Sequence, residues 1–148
     1  MGPGPRTTLG TVIVIISAAA VVALPIDKFF GLDKAPGQAA PFAPLARQIA
    51  AEGNTVMASH HWLAGNLRLE QPGLMALTPD IPHLDLPLQN PVQLVWYARS
   101  GSEPPADLLE LYQKRFGQEP VVGPSETLSA AYEWPHEGEF SIMRAIVR

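Results

Sequence analysis

Sixteen consecutive residues, 9–24 (LGTVIVIISAAAVVAL), carry no charge, and this run restricts the chain more than any other feature. With Thr7, Thr8, Pro25 and Ile26 added it reaches the ~20 residues that a helix needs to cross ~30 Å of hydrocarbon, so residues 7–26 are expected to form a transmembrane helix. Valine, isoleucine and alanine surround it on all faces without a polar stripe, which argues against a buried helix of a soluble protein. Thr11 and Ser17 can return their hydroxyls to the preceding turn, and Pro25 falls where the hydrogen-bond ladder is ending. A cleaved signal peptide is the rival, with Arg6 in its charged leading region. The apolar run is long for such a peptide, however, and Pro25 stands where cleavage would fall.

Arg6 precedes the helix and Asp27, Lys28, Asp33 and Lys34 follow it, so the count of cations alone leaves the orientation open. Residues 27–44 hold Gly31, Pro36, Gly37, Pro41 and Pro44 among small alanines, a composition that stays extended, and they read as a linker. Phe29 and Phe30, beside Lys28, fall at headgroup depth.

Residues 45–148 are enough for one modest core, and the chain is expected to be α/β: an N-terminal transmembrane helix followed by a small α/β sandwich domain with a C-terminal β-hairpin. From residue 45 onward 7 Lys and Arg stand against 12 Asp and Glu, a balance of -5 that disfavours nucleic acid as a partner. The 16 prolines and 12 glycines punctuate the chain too often for a long bundle, and the lack of cysteine removes disulfides and thiol chemistry. The pattern predicts helices at 45–52, 61–70 and 106–116, with strands at 55–59, 74–77, 92–99, 127–134 and 139–147. The first two strands with the helix between them form a parallel unit in this reading. Pro79, Pro82, Pro87 and Pro91 make 78–91 a loop that crosses the surface or rims a cleft.

Candidate ligand or acceptor contacts are few. Ser59, His60, His61 and Trp62 follow the first strand, at the carboxyl edge where open α/β sheets usually bind ligands. Asp80, His83 and Asp85 sit together in the proline-rich loop and could hold an ion or a sugar hydroxyl. Ser59 beside a histidine lacks the glycines of a nucleophile elbow, so no catalytic residue is assigned. Neither phosphate-binding glycine pattern occurs, and no cofactor is expected. No metal site is expected either, because His60 and His61 are adjacent and should point different ways. Trp62, Trp96 and Trp134 read as core or near-core aromatics.

Residues 56–73, VMASHHWLAGNLRLEQPG, carry a resemblance. The segment resembles the start of the C-terminal extracytoplasmic domain in bacterial membrane glycosyltransferases of family 39, relatives of the protein mannosyltransferases and of the lipid A aminoarabinose transferase. In that family a strand ends in a polar residue and an aromatic-Leu-Ala-x-x-Leu helix follows, then a turn with proline and another strand. Trp62, Leu63, Ala64, Leu67 and Pro72 match those positions, and the hydrophobic helix before them would correspond to the last membrane span.

The resemblance implies an inner (cytoplasmic) membrane protein, single-pass, with its C-terminal domain outside the cytoplasm. Its partners would be the lipid bilayer and a multispan glycosyltransferase subunit. Family members have many spans and carry their catalytic carboxylates in the first extracytoplasmic loop, which this one-span chain lacks. No catalytic residue is therefore carried over, and enzymatic activity stays undecided. Two functions are expected in order: an accessory or C-terminal module resembling that of a polyprenyl-phosphate-sugar-dependent glycosyltransferase, or a stand-alone membrane-tethered protein-binding module unrelated to sugar transfer.

Overall fold

A computed structural model describes residues 40–132 and 137–148, which form one compact unit. The expected transmembrane helix, linker residues 27–39, Trp134 and His136 lie outside the described residues. Among the described residues no helix is long and apolar enough to cross a membrane.

Three helices and five strands follow one another as α1 (Phe42–Glu52), β1 (Thr55–Ala58), α2 (His61–Glu70), β2 (Met75–Leu77), β3 (Val92–Tyr97), α3 (Ala106–Phe116), β4 (Glu126–Ala131) and β5 (Glu139–Val147). The strands make one mixed sheet in the order β2-β1-β3-β5-β4. β1 is parallel to both β2 and β3, while β5 runs antiparallel to β3 and to β4. The expected parallel unit and the closing antiparallel pair of strands are both present.

Alternation of side chains along the strands splits the interior into two layers. Val56 and Ala58 of β1, Ala76 of β2, Val95 of β3 and Ile142 of β5 face α1 and α2, where they meet Leu45, Ile49, Leu63 and Leu67. Met57, Leu77, Leu94, Trp96 and Met143 face the other way onto Leu108, Leu111 and Tyr112 of α3. The result is a three-layer sandwich, two helices on one side and one on the other. Each fully buried Leu or Ile contributes about 1.5–3 kcal/mol relative to exposure, so the two layers supply most of the driving force.

α1 begins at Phe42, three residues before the expected start, so the linker as drawn from the sequence gives up its last residues to a helix. Pro44 sits in the first turn, where the missing N–H has no intrahelical partner to lose. The earlier start buries Phe42 against the ring of Trp62, with centroids 5.1 Å apart in an edge-to-face arrangement. β3 ends at Tyr97 rather than 99, because Ala98–Ser100 turns into a short 3-10 helix. Trp96 is fully buried, and its indole N–H donates to the Gly101 carbonyl at 2.9 Å. Trp96 is thus a core aromatic and Trp62, half-buried against the core, a near-core one, as expected of both.

One polar network crosses the α1 side of the sheet. Gln93 of β3, fully buried, donates from Nε2 to the carbonyls of Ile49 and Gly53, both at 2.8 Å. Arg144 of β5, also buried, donates to Glu126 on the neighbouring strand, to Oε1 of Gln93 at 3.2 Å and to the Gln48 carbonyl at 3.3 Å. The last carbonyls of α1 thus receive a cation and an amide where the helix dipole is negative. Gly53, at φ 143, makes the exit that aims the chain into β1.

Candidate functional site

The carboxyl ends of β1 and β2 place the residues of interest. Met57 is paired with Leu77 in the parallel register, and three residues beyond each partner stand His60 and Asp80. The chain leaves β1 through Ser59, whose N–H still donates to the Val95 carbonyl at 2.9 Å, and turns into α2 at His60. His60 keeps an extended backbone, φ -152 and ψ 142, and caps α2 by accepting the Trp62 N–H on Nδ1 at 3.1 Å. It fills the place that Ser, Thr, Asp or Asn usually takes.

Asp80 closes the turn from the other strand. Its Oδ2 accepts the backbone N–H of His61 at 2.9 Å and lies 2.9 Å from Nδ1 of the same residue. A carboxylate can only accept, so the His61 ring donates from Nδ1 and Nε2 lies on the far side of the ring. The His61 backbone bond, then the His61 ring, hold the Asp80 carboxyl below the usual carboxylate range, with the charges of His60 and His61 assisting. The same carboxylate occupies the positive end of α2, so that end offers no free anion site.

The two histidines do not diverge as their adjacency suggested. Their ring centroids lie 4.1 Å apart with planes inclined by 32°. Divergence is the rule inside a strand, whereas here the backbone passes from extended to helical between the two residues, which swings both rings to one side. A ring nitrogen of each histidine and a carboxylate oxygen of Asp80 lie within 4.8 Å of one another, all on the exposed surface.

Beside this cluster lies a hollow of about 130 Å³ lined by His61, Ala64, Gly65, Arg68, Ala76, Thr78, Ile81 and Leu84. Thr78 is buried, and its hydroxyl has no hydrogen-bond partner. Arg68 shares a face of α2 with His61, seven residues on, a spacing visible in the sequence once the helix is drawn, whereas Thr78 carried no signal, since only the pairing of β2 with β1 brings it there. A larger groove of about 460 Å³ runs along Val121, Gly123, Glu126, Ile146 and Arg148. The acidic side chain that lines it, Glu126, is already engaged by Arg144.

The other candidates have partners of their own or stand exposed. Asp85 pairs with Arg115 of α3 at 3.3 Å, and Arg115 also donates to the Leu86 carbonyl at 2.7 Å. Asp80 and Asp85 thus take different partners, Asp80 at the start of α2 and Asp85 on α3. His83 is exposed on the same loop. Trp62 lies against Phe42, with its backbone N–H spent on the His60 cap. What remains is a His60–His61–Asp80 cluster with an oriented imidazole beside a small hollow, an arrangement suited to accepting a proton, a hydroxyl or a cation.

Set against protein-family models, curated proteins and solved structures, the chain matches none of them. The chemistry of the site is accordingly read from its own atoms.

Proposed function

We propose that this chain is a membrane-anchored accessory or C-terminal module resembling that of a polyprenyl-phosphate-sugar-dependent glycosyltransferase. In this reading residues 7–26 span the inner membrane once, the α/β domain stands outside the cytoplasm, and a multispan subunit supplies the catalytic carboxylates. The domain's part is to contact the acceptor at His60, His61 and Asp80. One observation carries the reading: the segment that bears the resemblance folds as strand, polar turn, helix and Pro72 turn, with its polar turn open to solvent at the carboxyl edge of parallel strands.

Purification of the full chain in mild detergent from its native cells tests this. Recovery of a multispan membrane protein with it is the expected result. Recovery of the chain by itself refutes the accessory role and favours the second reading, a tethered protein-binding module. That second reading draws on the exposed Ile81 and Leu84 rimming the hollow and on Leu69 nearby on α2, which is 76% exposed.

A further inference from the structure

We infer that His60, His61 and Asp80 form a binding site for a divalent transition-metal ion of the zinc type. The inference is independent of any tie to sugar transfer. The ligand atoms lie within 4.8 Å of one another and come from two adjacent strand ends locked in register. A metal–ligand distance of about 2.0–2.2 Å asks that they close to roughly 3–4 Å. All three side chains are exposed, so rotation about their own bonds supplies that closure without moving the core.

The donor set selects the ion. Two imidazoles and one carboxylate suit zinc, cobalt or nickel, and they do not suit magnesium or calcium, which want oxygen throughout. Three protein ligands leave a coordination position for water or for a polar group of a ligand. The neighbouring hollow is where such a group would lie, and Thr78, 4% exposed and with no partner for its hydroxyl, lines it. Nδ1 of His61 and Oδ2 of Asp80, 2.9 Å apart, already stand at the spacing of two ligands on one ion, so the ion takes the place of the proton between them and the ring keeps its proton on Nε2 instead. The His60 lone pair is spent on the Trp62 N–H in the free protein, so an ion takes it in exchange for the cap bond.

The test uses the full chain carrying a tag without histidine, stripped with chelator and titrated with zinc chloride in a calorimeter. One ion per chain and a rise in melting temperature are expected. His60→Asn, which keeps a helix cap, His61→Ala and Asp80→Asn are each expected to weaken binding about tenfold or more. His83→Ala and His136→Ala are expected to bind as the unaltered chain does. No heat of binding up to about 1 mM zinc overturns the inference, as does unchanged affinity in the His60, His61 and Asp80 variants. Loss of binding in the His83 or His136 variant overturns it as well, and so does displacement of zinc by equimolar magnesium.

Discussion

Replacing Gln93 by leucine tests how α1 is fastened to the sheet. The two side chains have similar volume, so the cavity contribution is small and the polar bonds are isolated. Three are lost: from Nε2 to Ile49 and Gly53, and from Arg144 to Oε1. A buried carbonyl left without a donor costs about 1–3 kcal/mol. The Gly53 carbonyl is less enclosed than that of Ile49, and Arg144 keeps Glu126 and Gln48 as acceptors. Leucine returns about 1 kcal/mol through its extra apolar surface. The balance is a loss of about 2–4 kcal/mol, a large share of the ~5–15 kcal/mol that holds a typical domain folded. Equilibrium urea unfolding followed by the fluorescence of buried Trp96 measures it, with a midpoint shift of roughly 1–2 M expected. Arg144→Met in the same background adds a double-mutant cycle, in which the shared network predicts a coupling of about 0.5–3 kcal/mol. A loss below about 0.5 kcal/mol together with additive single effects would refute the claim that these bonds pin the helix.

Two further perturbations reach other parts of the domain. Leu67 is fully buried between α2 and the sheet, so Leu67→Asp is expected to cost about 3–5 kcal/mol through an unpaired buried charge, and an unchanged melting temperature contradicts this. Burial pushes the Tyr97 phenol above its ordinary range against the opposing charge of Arg99. The native state therefore holds the phenolic proton more tightly than the unfolded chain does. The stability this contributes is present below the unfolded value of about 10 and declines as pH rises from there through the folded value. Tyr97→Phe should lose less stability between about pH 9 and pH 11 than the unaltered chain does in matched urea titrations, and equal losses count against the assignment.

Much of the fold was legible because its elements are strongly periodic. Residues 61–70, 106–116 and 139–147 were read with the bounds they have, since apolar spacing and the stops at Pro72 and Gly117 agree there. The start of α1 lies earlier than the composition suggests, because Gly, Pro and Ala up to Pro44 look like a linker, although a proline in a first turn breaks nothing. Arg144 in the middle of an apolar strand was a visible anomaly, yet its acceptors come from Gln48, Gln93 and Glu126, far apart in the chain. The site divides the same way. The His60 cap was local and readable, whereas the bond from His61 to Asp80 depends on the register between β1 and β2, which no neighbourhood of residues announces. Asp80 and Asp85 looked like companions for the opposite reason, because closeness along a loop does not fix direction.

The order of the sheet has a consequence for synthesis. β5 follows both of its neighbours in the chain and lies between them in the sheet, so β3 and β4 lack this shared partner until residues 139–147 emerge. Until then β3 and β4 each have an edge without its partner, at Val95 and Leu128 among other positions, which makes residues 139–147 the segment that joins the two sides of the sheet.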